Sequence, residues 1–396
     1  MEPLPKLKIP ERILLGAGPT NVSARVLEAL GRGVVGHLDP EFLQLMEALK
    51  SLLREAFCSK NPITFAISGT GSAAQEASLV NLIEQDDEVV IGVNGLFGSR
   101  LAEMADRFGA RAHKVEVEWG RIIEVEQIEA ALKRCRKPKL VAVVHAETST
   151  GVHQPYVPEM AELAHRYGAL MVLDVVTSLG CVPVEVDQWQ IDAAYSCSQK
   201  GLGAPPGLGP LTVSERALAT IRSRKTKCRS WYLDIGLLER YWGQERLYHH
   251  TAPINLNYAL YEALRLVFEE GLAARWERHR KSAAALQAGL GALGLKLAAP
   301  EGFRLPQLTS IRVPDGIDEA KVRAQLLKRF NTEIGAGLGP LKGRIWRIGL
   351  MADNANPQRV LSLLDALEEI LREAGLEIPR GSPRLAAESM IAEGLN

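Results

Sequence analysis

The chain has no long apolar run, no excess of charge and no paired cysteines, and each lack removes a class of protein. Without a hydrophobic stretch of membrane-spanning length, no membrane partner is expected. The 47 basic residues are matched by 47 acidic ones, whereas nucleic-acid binders carry a basic excess or stripe, so no nucleic-acid partner is expected either. The five cysteines, at 58, 135, 181, 197 and 228, are odd in number, scattered and never spaced C-x-x-C. They read as reduced thiols, with no metal site and no disulfide framework. The G-x-S-x-G nucleophile elbow is missing, and Cys197 stands where an S-x-x-K hydrolase would place the serine ahead of Lys200. The opening Met1-Glu2-Pro3-Leu4-Pro5-Lys6 lacks a signal peptide's apolar segment, and Gly394-Leu395-Asn396 is not a Ser-Lys-Leu-like address, so a cytoplasmic location is expected.

What is present is a long alternation. A chain of 396 residues suits two domains. From about residue 60 to 215, short β-branched runs (64–67, 88–93, 112–117, 140–144, 170–173) alternate with amphipathic stretches (73–84, up to 107, 125–136, 158–167). That pattern predicts crossover units in an α/β fold, with a mostly parallel central sheet flanked by helices. Ligands on such sheets sit at the carboxyl ends of strands, where Ser68, His145 and Asp174 fall. Beyond residue 253 the spacing predicts helices over 255–270 and 272–293, broken near Gly271, then a smaller C-terminal α+β domain. Its strands are expected at 308–313 and 345–348, its helices at 318–330 and 357–374, and the stretch from Pro379 on is expected to be loosely held.

The chemistry concentrates in two places. Asp174 ends the apolar strand Leu170-Met171-Val172-Leu173, and Lys200 lies in the polar loop Ser196-Cys197-Ser198-Gln199-Lys200-Gly201. Alone, the aspartate also suits a magnesium or ribose ligand, and the lysine a solvated surface charge. Together they match pyridoxal 5'-phosphate (PLP), whose aldehyde needs an amine to form a Schiff base and whose pyridine nitrogen needs an anion to stay protonated. Ser68-Gly69-Thr70-Gly71-Ser72 lies between a strand and a helix start, a ready cradle for a phosphate. Gly69-x-Gly71-x-x-Ala74 also matches a dinucleotide fingerprint, but the next strand ends in Val93-Asn94 rather than the acid that holds a ribose. Phe97, between Gly95 and Gly98, is placed to stack on a flat cofactor or to join the core. The run His145-Ala146-Glu147-Thr148-Ser149-Thr150-Gly151 could serve the cofactor's phenolic oxygen or be a plain polar loop. In Arg344-Ile345-Trp346-Arg347-Ile348-Gly349, Arg347 shares a strand face with apolar Ile345 and so needs an anion, either a substrate carboxylate or a structural partner.

Taken in order, SGTGS, NGLFG, HAETSTG, VLDVVTS, SQKGLGAPPG, YHHT and RIWRIGL resemble the alanine–glyoxylate and serine–glyoxylate aminotransferases, class V members of the fold-type-I PLP enzymes, over nearly the whole chain. The resemblance implies an N-terminal arm (1–14), a large PLP-binding domain (15–270), a small domain (271–375) and a tail (376–396). It implies that Lys200 holds the cofactor and then acts as base, and that Asp174 pairs with the pyridinium. Thr70, Gly71, Ser72 and Gln199 would take the phosphate, while Tyr248 and Thr251 would reach the partner subunit's phosphate in a homodimer with active sites at the subunit interface. Thr148 would bond the phenolic oxygen, with Phe97 and Val176 on the two ring faces. Arg347 would hold the substrate carboxylate and the backbone at Gly18 would close the pocket. Phe97 and Ser72 replace the tryptophan and histidine of the animal pattern. The implied reaction moves an amino group from alanine or serine to glyoxylate, giving glycine and a 2-oxo acid. Hydroxykynurenine, aminoethylphosphonate or pyridoxamine as donor, with pyruvate or glyoxylate as acceptor, is the alternative on this scaffold, and an NAD-dependent dehydrogenase is the alternative from another class. A cysteine desulfurase is not expected, because no cysteine follows Cys228.

Overall fold

Runs of β-branched residues buried on both faces set the architecture. In chain order the strands are β1 (Ile13–Leu15), β2 (Ile63–Ser68), β3 (Glu88–Val93), β4 (Arg111–Glu116), β5 (Pro138–Val144), β6 (Ala146–Glu147), β7 (Val152–His153), β8 (Leu170–Asp174), β9 (Ala193–Tyr195), β10 (Leu208–Val213), β11 (Leu308–Arg312), β12 (Thr332–Ala336) and β13 (Ile345–Gly349). The computed structural model describes residues 6–393; residues 1–5 and 394–396, on which the expectations about a leader and an address rest, lie outside the described residues.

The large sheet has the order β2-β10-β9-β8-β5-β3-β4. β3 pairs in parallel with β4 and β5, β5 with β8, and β8 with β9, while β10 runs antiparallel between β9 and β2. Parallel strands covered by helices on both faces have no polar side, which is why β5 and β8 read as continuous apolar runs. One core cluster extends from Val26 to Leu264 around this sheet. A second, from Ala285 to Ala387, also takes in Leu15.

The smaller sheet has the order β1-β12-β13-β11. β1 pairs in parallel with β12, so the expected boundary between residues 14 and 15 cuts through a strand of this sheet. From β1 the chain crosses at once to the large sheet's site, and this segment ties the two parts together. Asn354, fully buried, donates to the Leu14 carbonyl, Thr20 Oγ1 and Asn21 Oδ1 at 2.9, 3.0 and 3.1 Å.

The stretch from Pro379 is not loosely held. Residues Ser382–Glu393 form a helix that packs on the helices Leu272–Ala292 and Pro357–Glu373, with Ala387 fully buried. Its polar sequence hides this, because only Pro383 and Ala387 are buried outright, with Ile391 packed against the same core. Deleting residues 379–396 should therefore lower the thermal midpoint by several degrees, on the order of 2 kcal/mol for roughly 100 Å² of exposed apolar surface or somewhat less. A scanning-calorimetry trace that matches the full chain would show the helix contributes nothing.

Candidate active site

Elements of the large sheet converge on a cavity of about 190 Å³ at the carboxyl ends of its parallel strands. Thr70, Gly71, Ser72, Phe97, Thr148, Asp174, Val176, Gln199 and Lys200, nine of the residues singled out above, line it together.

Asp174, 5 % exposed, ends β8 in the sheet interior. Its Oδ1 accepts from the Val176 N–H at 2.9 Å and its Oδ2 from the Tyr195 hydroxyl at 2.8 Å. Burial pushes the carboxyl up to about 7, and buried Glu147 nearby pushes the same way. No ion pair of Asp174 exists among the described residues, so the site is one that a buried cation would complete. Lys200 lies across the same cavity, and burial lowers its pKa, which favours the neutral amine. Its Nζ donates to the Ala17 carbonyl, and a side chain at Gly18 would overlap it; only glycine lets the backbone close over the lysine there.

The helix Gly71–Leu82 starts without a side-chain cap, since Thr70 makes none. Ser23, Asp39, Ser214, Asp234, Asp318 and Asn356 cap other helices. Ala73 and Ala74 N–H bond the Thr70 carbonyl, leaving the Gly71 and Ser72 N–H groups for an external anion. A Cβ at Gly71 would come 2.8 Å from the Cys197 Cβ, so glycine lets this helix end press against the lysine loop. Gln199 adds a buried side-chain oxygen without a partner; turned over, its amide would present N–H to the same anion. The helix Leu96–Arg107 is capped from another element: Glu147 Oε2 accepts from Phe97 and Gly98 N–H at 3.0 and 3.2 Å, and Ser149 Oγ accepts from Leu96 N–H at 2.9 Å. This fixes the Phe97 ring at the cavity wall. A carboxylate, an amine and an anion cradle around a slot walled by Phe97 and Val176 fit PLP.

Arg347 does not line the cavity itself. It is 7 % exposed on β13, and it reaches the site through Thr148, whose carbonyl accepts from Nη1 at 3.1 Å. Nε donates to the Ala336 carbonyl at 2.7 Å, and no carboxylate pairs with it among the described residues. Tyr248 and Thr251 are exposed and outside their own chain's cavity, although His250 between them bonds Ser68 Oγ at 2.6 Å. His145 turns away and bonds His153 at 2.9 Å, edge-on to Trp189.

Sequence reasoning missed Tyr195, the capping role of Glu147, and Gln75 and Arg100, which line the cavity. Tyr195 ends a three-residue strand, too short to show a period. Arg100 had a signal, standing one helical turn after Phe97, and its guanidinium lies 5.1 Å from the centre of that ring. The dinucleotide alternative fails on topology: β2 is an edge strand with only an antiparallel neighbour, not the parallel strand of a dinucleotide unit.

The sequence pattern described as Aminotransferase class-V matches residues 13–341. An alanine–glyoxylate aminotransferase of Drosophila melanogaster is 41 % identical over 376 residues, 94 % of this chain and 95 % of the relative. The crystal structure of an alanine–glyoxylate aminotransferase from Nostoc sp. superposes with a TM-score of 0.91 at 49 % identity, covering 93 % of this chain and 98 % of that one. The ureidoglycine–glyoxylate aminotransferase of Bacillus subtilis gives 0.96 at 41 % identity, over 98 % of this chain and 100 % of its own. With the cavity at the strand ends and likeness along almost its whole length, this chain belongs to the class-V aminotransferases.

Proposed function

We propose that this aminotransferase uses PLP to move the amino group of alanine or serine to glyoxylate, releasing a 2-oxo acid and glycine. The observation that carries the reading is the buried Asp174 carboxylate facing the Lys200 amine across one cavity. Glyoxylate is common to the names of the relatives described above, whereas the donor differs among them. Among the described residues Arg347 is the one buried arginine without an acidic partner, which supports a donor with one carboxylate.

When bound, PLP supplies an electron sink for the carbanion left after loss of the substrate Cα proton. Asp174 would hold a proton on the pyridine nitrogen, with Val176 N–H and Tyr195 keeping its carboxylate in place. Gly71 and Ser72 N–H, with Thr70 and Gln199, would hold the phosphate at the helix N-terminus. Phe97 and Val176 would cover the two ring faces, and Thr148 would serve the phenolic oxygen. Arg347 orients the substrate carboxylate, which places the Cα hydrogen toward Lys200. Lys200 Nζ, whose pKa burial lowers, takes that proton. Tyr248 and Thr251 complete the partner subunit's phosphate site in a homodimer, a reading supported by the exposed aromatic surface of Trp231, Tyr232 and Tyr248. Five free thiols support the reducing cytoplasm as its compartment.

A donor screen against glyoxylate and pyruvate, with (S)-ureidoglycine included, tests the substrate pair. Alanine or serine should give the highest kcat/KM with glyoxylate, and a clear preference for another donor would replace this one. Lys200→Ala should fold normally and lose at least about 10³-fold in kcat; near-normal turnover would refute the assigned base. Arg347→Lys should lower kcat/KM for both acids by roughly 10²-fold, mostly through KM, because the ammonium lacks the planar fork.

The Asp174 carboxyl also sets a pH dependence. Its folded pKa lies above its unfolded one, so the folded chain binds the extra proton, and the stability tied to it is lost as pH rises through about 7. Going from about pH 5 to about pH 8, the cofactor-free protein should thus lose more thermal stability than its Asp174→Asn variant does. Equal losses would show that the carboxyl titrates normally.

A further inference from the structure

Behind the lysine loop lies a charged chain that the reaction above does not use. Arg275, only 3 % exposed, donates from Nε to the Gly180 carbonyl at 3.0 Å and from Nη2 to the Gly201 carbonyl at 2.8 Å. Gly201 is the residue after Lys200. The remaining arm, Nη1, bonds Glu270 Oε2 at 2.8 Å. Glu270 also takes Arg278, through Nε to Oε1 at 2.6 Å and Nη2 to Oε2 at 2.9 Å. Arg278 Nη1 then donates to the carbonyls of Ala352 and Ala355 at 2.8 and 2.6 Å. These two carbonyls belong to the turn that follows β13, the strand carrying Arg347.

We propose that Glu270, Arg275 and Arg278 form a positioning brace that sets the Lys200 loop against the strand bearing Arg347. Each end grips main-chain carbonyls, so the brace fixes backbone rather than side chains. Two arginine forks sharing one carboxylate have little freedom, because each planar group is held by at least three bonds. The small-domain end needs holding: Ala352 has φ +51°, a left-handed conformation that a residue with a Cβ adopts only under constraint. The two ends also lie close together, since a Cβ at Gly203 would come 3.1 Å from that of Ala352. A base and a carboxylate clamp on different sheets must keep a fixed separation for the Cα hydrogen to face the amine, and small misplacements are costly. The sequence carries the parts as Glu270-Gly271 followed by Arg275 and Arg278 on one helix, where charged residues read as a solvated face.

The brace rests on the roles given above to Lys200 and Arg347, but its mechanical part can be measured without them. In the cofactor-free full-length protein, hydrogen exchange by mass spectrometry reads the backbone at 201–204 and at 351–355. Arg278→Gln touches only the second segment and Glu270, so faster exchange at 201–204 in that variant is the expected result. Glu270→Gln should loosen both segments. In the PLP-loaded enzymes, both variants should slow the single-turnover reaction with donor by about tenfold while still showing the visible cofactor band. Arg275→Ala should do more, and added methylguanidine should restore part of the rate; should that variant not fold, Arg278→Gln carries the test alone. Exchange at 201–204 equal to wild type in Arg278→Gln would overturn the brace, as would wild-type turnover with both segments loosened. Failure of the wild-type protein to take up PLP would instead refute the role of Lys200 and leave the exchange result standing.

Discussion

A carboxylate at the buried end of a parallel strand is the constraint around which this molecule is arranged. Asp174 has left water for the sheet interior, where its charge is costly without a cation. Two donors, Val176 N–H and the Tyr195 hydroxyl, hold it without neutralising it. A group that suits this site is cationic toward Asp174, flat enough to lie between Phe97 and Val176, and anionic at its far end near Gly71 and Ser72. That set of demands is narrow, and a protonated pyridine bearing a phosphate meets all of it.

Helix ends do much of the remaining electrostatic work, and they do it in two different ways. The helix starting at Gly71 leaves the Gly71 and Ser72 N–H groups free among the described residues, so its positive end suits an external anion. The helix starting at Leu96 has its N–H groups taken by Glu147 and Ser149 from a neighbouring ribbon, so its end is closed and Phe97 is held still. Glu147 is itself fully buried, with its pKa raised by burial, and four hydrogen bonds to its carboxylate compensate it: two from the helix and one each from the Ser149 N–H and hydroxyl.

The two sheets meet where the proposed reaction takes its base from one and its carboxylate clamp from the other. Three of the connections that cross that boundary are the segment from β1 to Thr20, the bond from Arg347 to the Thr148 carbonyl, and the Glu270 network. All three end on main-chain atoms close to Lys200 or Arg347. Thr20 N–H bonds the Gln199 carbonyl and its hydroxyl the Met351 carbonyl, so a single residue spans the lysine loop and the turn after β13.

The parallel strands and the helices between them could be read from the chain because strands buried on both faces are continuous apolar runs, and a period of about 3.6 separates them from helices. Asp174 and Lys200 were legible for the same reason: one ends such a run, the other breaks the pattern in a polar loop. β1, β9 and β10 escaped notice, since three residues carry no period and antiparallel pairing in a mostly parallel sheet leaves no local mark. Sequence by itself determined which residue types stand at strand ends and helix starts, since these depend on neighbours a few positions away. Tertiary structure alone decided that Tyr195 holds Asp174, that Glu147 caps the helix of Phe97, that the final helix docks, and that Arg275 grips the carbonyl beside Lys200. These contacts join residues far apart in the chain, and burial, which no single segment encodes, is what makes them matter.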